Sequence, residues 1–268
     1  RGWEGGWGWV GVGGVGAGGR GGGGGGGGRG GGRREWGGAV GGGGVAEGGG
    51  GMGWGVGGGG CAVMRQQCGC VGSGRPTHGL RVGLLGGSFD PPHSGHLHIS
   101  KWAMKEFNLD RVWWLVSPGN PLKNDMPADL DRRMSACMEL VNHPNIIVTD
   151  LERTFNTRYT AQTLTMLKAK YLGVRFVWLM GADNLATFHH WDRWQDIMHM
   201  LPVGVMARPN QQLAANCSPA ARMFRESRLP AQFSTALPFK EAPSWSLLTG
   251  PMDEESSSRI RREGNWSK

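Results

Sequence analysis

The sequence predicts an α/β fold in which a parallel sheet carries helices on both faces, preceded by a disordered glycine-rich N-terminal segment. Two observations predict the sheet: from residue 82 onward, apolar runs of strand length alternate with helical patterns, and their connections are short. A third observation distinguishes the N-terminal segment from the rest of the chain: 40 of the 51 glycines fall within residues 1–78. We therefore expect a disordered segment over residues 1–78 and one folded domain over residues 79–268.

Strands are predicted where short apolar runs end at a turn signal. Residues 112–116 read VWWLV, a continuous apolar run that is typical of a strand buried on both faces. The prolines and glycine of the segment 118–121 then end this strand. By the same reasoning, strands are predicted over residues 82–85, 111–117, 146–148, 174–180 and 203–206.

Helices are predicted between these strands from apolar spacing and from stop signals. Leu164, Leu167 and Leu172 recur at helical spacing, and Gly173 is a typical residue for a helix end. Two prolines at 91–92 delay the first helix until about residue 95. The predicted helices cover residues 95–107, 129–141, 160–172, 192–200 and 219–228. In such a fold, ligands bind beyond the carboxyl ends of the strands.

The turn after the first predicted strand carries the clearest functional signal. Residues 86–96 read GGSFDPPHSGH, so that two glycines and two histidines follow a strand end. Gly86 and Gly87 let the backbone come close to a ligand, and His93 and His96 can share one face where a helix begins. The free N–H groups and the positive dipole end of that helix favour an anion. The sequence therefore predicts a phosphate site at this turn.

A metal site is the alternative interpretation of the two histidines. Structural and catalytic zinc sites need three or four protein ligands at characteristic spacings. No cysteine, aspartate or glutamate stands at such a spacing near His93 and His96. We therefore predict no metal ligand among the residues of this chain.

The string GGSFDP followed by HSGH resembles the nicotinate-nucleotide adenylyltransferases, a family within the Rossmann-like His-x-Gly-His nucleotidyltransferase superfamily. The resemblance extends from about residue 80 to the C-terminus. It implies an enzyme that transfers AMP from ATP to nicotinate mononucleotide, releases pyrophosphate and uses Mg²⁺ with its ATP. The alternatives within the superfamily are adenylyltransferases acting on nicotinamide mononucleotide or on phosphopantetheine.

The resemblance also assigns roles to particular residues of this chain. The C-terminal string SSSRIR, residues 256–261, is similar to the family's phosphate-binding motif. In the base site, Trp191 would stack on the pyridine ring beside Asp183, and Thr160 would help to hold the nicotinate carboxylate. The implied catalytic residues are His93, His96, Lys123 and Arg261, and the implied nucleotide-binding residues are Gly86, Gly87, Ser88, Phe89, Ser257, Ser258 and Arg208.

Several of these residues also have a purely structural interpretation. Thr160 and Asp183 each stand where a helix N-cap is expected, and Trp191 could be a core residue on one helix face with Trp194. Lys123 could be a solvated loop lysine. Asp90 could either stabilise the turn or contact Mg²⁺ through water.

The N-terminal segment has two interpretations. Its arginines and tryptophans dispersed among glycines are typical of RNA-binding arms, which would make the protein an RNA-binding protein. The other interpretation is that the reading frame extends upstream of the true start, with Met64 standing shortly before the first strand. We prefer the second, and expect residues 1–63 to be dispensable for activity.

Charge and cysteine content limit the remaining possibilities. The net charge of +8 divides equally between residues 1–78 and 79–268, so the predicted domain is only mildly basic and nucleic acid is not an expected partner. Five cysteines without a framework spacing, and the lack of a long apolar run, predict a reduced cytoplasmic protein with no membrane partner. The sequence predicts no oligomeric state.

Overall fold

A single six-stranded parallel sheet organises the computed structural model, which describes residues 78–119, 126–207, 212–250 and 256–267. The strand order is β3-β2-β1-β4-β5-β6, and every neighbouring pair runs parallel. The parallel α/β prediction is therefore confirmed. The strands are β1 Arg81–Gly87, β2 Arg111–Val116, β3 Ile146–Thr149, β4 Arg175–Gly181, β5 Val203–Ala207 and β6 Trp245–Thr249.

Two hydrophobic cores lie on the two faces of this sheet. Along β2, Trp113 and Leu115 pack into one core, whereas Val112, Trp114 and Val116 pack into the other. This alternation follows from the two-residue period of a strand, and all five side chains are buried. The prediction of a sheet covered by helices on both faces is therefore confirmed.

The helices agree with the predicted ones except at their ends and in the shortest segments. The first one begins at Ser94, and the predicted helix 219–228 stops at Met223 before a separate 3₁₀ turn, Arg225–Ser227. Short helices that the sequence pattern did not indicate are Leu151–Thr154, Gln212–Asn216 and the 3₁₀ segment Ala231–Phe239. The α-helices are α1 Ser94–Glu106, α2 Leu130–Leu140, α3 Leu151–Thr154, α4 Thr160–Lys170, α5 Ala182–Thr187, α6 Trp194–Met200, α7 Gln212–Asn216, α8 Pro219–Met223 and α9 Ser257–Arg262.

Strand β6 is the one strand of the sheet that the sequence analysis did not predict. Its five residues include Ser246, and Pro243 and Gly250 stand close on either side, so the local signal is short. The strand exists because it pairs with β5 over its whole length and buries Trp245 and Leu247. Its position is thus determined by partners far away in the sequence.

Some expectations fall on parts of the chain that the structure does not describe. The predicted disorder of residues 1–78, and with it the RNA-binding interpretation, lies outside the described residues apart from His78. Lys123 and Arg208 are also outside them. Within the described ranges, no helix is long and apolar enough to cross a membrane.

Candidate active site at the carboxyl edge of the sheet

The loop that follows β1 stands at the carboxyl edge of the sheet, where the strand order reverses between β1 and β4. Such a reversal leaves a crevice that serves as the ligand site in parallel α/β folds. At the end of β1, a Cβ on Gly86 would lie 2.5 Å from Cη2 of Trp178. Gly86 therefore makes room for a buried indole, a packing role that the sequence analysis did not foresee.

Phe89 supports the histidine loop, which is the segment of residues 88–96 after β1. It adopts φ = +48°, a conformation that L-residues rarely accept, and its side chain is 1% exposed. Its ring stacks on Trp114 at 4.9 Å between centroids and lies 4.6 Å from the ring of His96. The side chain of Phe89 therefore supports His96 within the core, and a contact of Phe89 with a nucleotide stays a prediction.

His93 and His96 cap the first helix reciprocally. The N–H of Gly95 donates to Nδ1 of His93 over 3.2 Å, and the N–H of His93 donates to Nδ1 of His96 over 3.1 Å. The two ring centroids are 4.0 Å apart, and both side chains are buried. Because each Nδ1 accepts a hydrogen bond, each neutral ring carries its proton on Nε2. Nε2 is thus the atom with which each imidazole can donate to an anion.

The C-terminal helix α9 returns to this loop. Nη1 of Arg261 donates to the main-chain oxygen of Asp90, and Oγ of Ser257 donates to the main-chain oxygen of Pro91 over 2.8 Å. Nη2 of Arg261 donates to Oγ of Ser258 over 3.3 Å. The structure therefore brings Ser257 and Arg261 to the histidine loop, with Ser258 bonded to Arg261, and their contacts with phosphates stay a prediction.

Asp90 acts as an anchor inside the loop. Its side chain is 4% exposed, and its Oδ1 accepts hydrogen bonds from the N–H of Ala128 at 3.3 Å and from Nε1 of Trp266 at 2.7 Å. Its Oδ2 lies 3.9 Å from Nη1 of Arg261. These contacts agree with the turn-stabilising interpretation of Asp90.

Arg133 is a residue of the site region that the sequence analysis missed. Its side chain is fully buried, and burial lowers the pKa of its guanidinium from the usual range, although arginine stays charged. The guanidinium donates to main-chain oxygens of Ala128 at 2.6 Å, Ser88 at 2.6 Å, Ser117 at 2.7 Å and Pro118 at 3.4 Å. Arg133 therefore ties the loop after β1 to the loop after β2.

Glu152 is a second buried charged residue without a signal in the sequence. It lies in α3, is 4% exposed and forms a side-chain hydrogen bond with Ser117. Burial raises its pKa to about 7, against the smaller effect of the Ser117 bond. Its Oε2 makes no hydrogen bond to any residue that the structure describes. Glu152 thus contacts the side chain of Ser117, and Arg133 contacts the carbonyl of the same residue. Both therefore hold the end of β2.

The residues expected around the base lie at the starts of two helices. The N-cap of α4 is Tyr159, and Thr160 is its first residue, so the capping role considered for Thr160 is wrong. The N-cap of α5 is Gly181, and Asp183 stands within the first turn, so its capping role is wrong as well. Helix α5 directly follows β4 at the carboxyl edge of the sheet, whereas α3 stands between β3 and α4.

Trp191 is packed in the core of this region. It is 7% exposed, and its ring meets Phe188 edge-on at 5.2 Å and Trp178 at 6.4 Å. It follows the 3₁₀ turn Phe188–His190, so it does not share a helix face with Trp194. Trp191 thus has the core position considered for it, and its stacking on a pyridine ring stays a prediction.

The class of protein follows from this sheet and from a comparison with known families. Residues 84–263 match the family model described as cytidylyltransferase-like, a range that runs from β1 to just beyond α9. The chain therefore belongs to the cytidylyltransferase-like family.

The curated relatives narrow this class. The chain is 55% identical over 185 residues to a protein of Roseobacter denitrificans, spanning 69% of this chain and 93% of that protein. It is 57% identical over 186 residues to a protein of Cereibacter sphaeroides, spanning 69% of this chain and 98% of that protein. Each of these two relatives is named "Probable nicotinate-nucleotide adenylyltransferase".

A solved structure shows the same fold. The chain superposes on the nicotinic acid mononucleotide adenylyltransferase of Plasmodium falciparum, solved with NaAD, with a TM-score of 0.52. The match covers 68% of this chain and 83% of that chain at 15% sequence identity. The architecture described above is therefore shared at low sequence identity.

Proposed function

We propose that this protein is an adenylyltransferase that joins ATP to nicotinate mononucleotide, forming nicotinate adenine dinucleotide and pyrophosphate. The observation that carries the proposal is that Arg261 of α9 contacts the loop that carries His93 and His96, at the carboxyl edge of the sheet. High identity to relatives named for this activity, over nearly their whole length, supports the choice of substrates.

The reaction needs positioned charge rather than a protein nucleophile. A phosphate oxygen of the mononucleotide attacks the α-phosphorus of ATP, a new P–O bond forms, and the bond to the β-phosphate oxygen breaks. The electron pair of that bond leaves with pyrophosphate. Because a phosphate dianion is already nucleophilic at neutral pH, catalysis requires mainly orientation and stabilisation of developing charge.

Different side chains of the protein would stabilise the charge on different phosphates. Nε2 of His96 would donate to a nonbridging oxygen of the α-phosphate, with His93 beside it and the N-terminus of α1 facing the same charge. Arg261 would stabilise the leaving pyrophosphate, since its two described hydrogen bonds leave other N–H groups of the guanidinium to donate. Lys123, Ser257 and Ser258 would contribute further contacts to the phosphates.

Mg²⁺ is proposed to enter as part of the ATP substrate. The residues that the structure describes contain no cluster of three or more metal-ligating side chains, and the carboxylate of Asp90 is engaged by protein donors. Mg²⁺ commonly binds through substrate phosphates with few protein ligands, which fits this loop.

A cytoplasmic location remains a prediction from the cysteine pattern. Among the described residues, Cys137 and Cys217 are both free thiols.

The deciding experiment measures pyrophosphate release from ATP and Mg²⁺ with three acceptors in parallel. We expect rapid release with nicotinate mononucleotide, and slower release with nicotinamide mononucleotide or phosphopantetheine. Faster release with either of the other acceptors would contradict the proposed substrate, and release with none of them would contradict the activity. A chain lacking residues 1–63 should retain full activity.

A further inference from the structure

The end of the chain is fastened to the histidine loop at three separate points. Ser257, Arg261 and Trp266 each bond to one of two adjacent residues, Asp90 and Pro91. The first two belong to the phosphate-binding string, but Trp266 does not, and neither the sequence analysis nor the proposed reaction gives it a role.

Trp266 is held from two sides. Its Nε1 donates to Oδ1 of Asp90 over 2.7 Å, a hydrogen bond to a buried carboxylate. On the other side, the guanidinium of Arg132 lies 4.1 Å from the centre of the Trp266 ring, and its Nη1 donates to the main-chain oxygen of Ser267 over 2.6 Å. A tryptophan at the end of a chain is thus clamped between α2 and the loop.

Through Asp90, this clamp reaches Arg261. The same carboxylate that accepts from Trp266 through Oδ1 faces Nη1 of Arg261 at 3.9 Å through Oδ2, and the main-chain oxygen of Asp90 accepts from that Nη1. Trp266 and the N–H of Ala128 thus both donate to this carboxylate, and the bond from Trp266 also links the segment after α9 to the loop. Both effects restrict where the guanidinium of Arg261 can stand.

We propose that Trp266 is a positioning residue for the triphosphate, which acts through Asp90 to hold Arg261 at the phosphate site. The proposal rests on the proposed function, because it takes Arg261 to be a phosphate ligand. Without Trp266, Arg261 would sample more positions, and part of the binding free energy of ATP would be spent on ordering it. The mononucleotide site has no described contact with this clamp and should keep its affinity.

The test uses Trp266→Phe in the full chain, which keeps an aromatic ring beside Arg132 and removes the hydrogen bond to Asp90. We expect the Kd of ATP, measured by titration calorimetry with Mg²⁺ and no mononucleotide, to rise about tenfold, equivalent to about 1.4 kcal/mol. The KM of nicotinate mononucleotide should change less than about twofold. An unchanged Kd of ATP, or an equal weakening of both substrates, would overturn the proposal.

A matched control is available in Trp245. Its Nε1 also makes a 2.7 Å hydrogen bond, to the main-chain oxygen of Phe224, and Arg228 lies 5.1 Å from its ring centre. It begins β6, at the edge of the sheet opposite the loop. Trp245→Phe should therefore lower the melting temperature without changing the Kd of ATP.

A double substitution tests the route of the effect. If Trp266 acts through Arg261, then Trp266→Phe should have little further effect on ATP binding in an Arg261→Ala background. Additive losses would overturn the proposed route. A wild-type protein that binds ATP but transfers no AMP to nicotinate mononucleotide would refute the proposed function alone. An active enzyme whose affinity for ATP is the same with and without Trp266 would refute this inference alone.

Discussion

Replacing Arg133 tests how the two loops of the site are held together. Arg133→Met keeps a flexible apolar chain in the same volume but removes every guanidinium donor. Four main-chain oxygens, of Ser88, Ser117, Pro118 and Ala128, then lose a hydrogen bond. The variant therefore separates the packing of the side chain from its hydrogen bonds.

The expected loss of stability can be worked out from the burial of these bonds. The bonds to Ala128 and Ser117 are buried, and an unsatisfied buried carbonyl costs about 1–3 kcal/mol. The bond to Ser88 is partly buried and adds about 1 kcal/mol, while the 3.4 Å bond to Pro118 adds little. Together these contributions predict that Arg133→Met lowers the free energy of unfolding by about 3–7 kcal/mol.

The assay is urea denaturation followed by circular dichroism, with activity measured on the protein that stays folded. Arg133→Lys should recover less than half of the loss, because one ammonium cannot reach oxygens on three separate segments. Arg222→Met, on the exposed surface of α8, serves as the control and should change stability by less than about 0.5 kcal/mol. A Lys variant as stable as wild type would refute the reasoning.

Three further predictions concern the site and the strand below it. His96→Ala should slow turnover about a hundredfold, because a donor to the α-phosphate is lost and the barrier rises by about 3 kcal/mol. Stopped-flow measurement of pyrophosphate release checks this, with His98→Ala as the control. Gly86→Ala should cost about 1–3 kcal/mol of unfolding free energy in urea, since its Cβ would lie 2.5 Å from the buried ring of Trp178, and an unchanged midpoint would contradict this packing. Glu152 has its pKa raised by burial from an ordinary 4.5 to about 7, so ionisation favours the unfolded chain as the pH rises between these values. Wild type should therefore lose stability relative to Glu152→Gln over this interval, and a constant difference from pH 4 to 8 would show that Glu152 does not titrate with folding.

Local patterns were sufficient for most of the sheet. A run such as VWWLV in β2 is apolar at every position because both faces of the strand are covered, and this requirement can be read without knowing which residues cover it. Strand β6 was not predicted because its own residues form only a weak strand pattern. It is stabilised by its pairing with β5, which a local pattern does not reveal. Several helix ends shifted by one or two residues, as α2 spans Leu130–Leu140 where residues 129–141 were predicted. The start of α4 at Thr160 was predicted correctly, but its cap is Tyr159.

The histidine loop could be recognised in advance because its contacts are short in sequence. His93 and His96 bond within three residues of each other, so a strand, a glycine turn and a helix start already specify where the imidazoles stand. The return of Arg261 to Asp90 spans 171 residues, and no local pattern indicates this contact. Arg261 was proposed as a site residue only because the C-terminal string resembles a known family.

Arg133, Glu152 and Trp266 could not be found in the same way. Each sits in an unremarkable local pattern, and its role arises from groups that folding places around it, such as the loop carbonyls around the guanidinium of Arg133. The order of residues alone predicts the parallel α/β domain and the position of the turn that carries the two imidazoles, since these depend on periodicity and nearest neighbours. The bracing of that turn, and the burial of Trp191 against Trp178 and Phe188, are settled by long-range packing, because burial depends on what surrounds a side chain rather than on what precedes it.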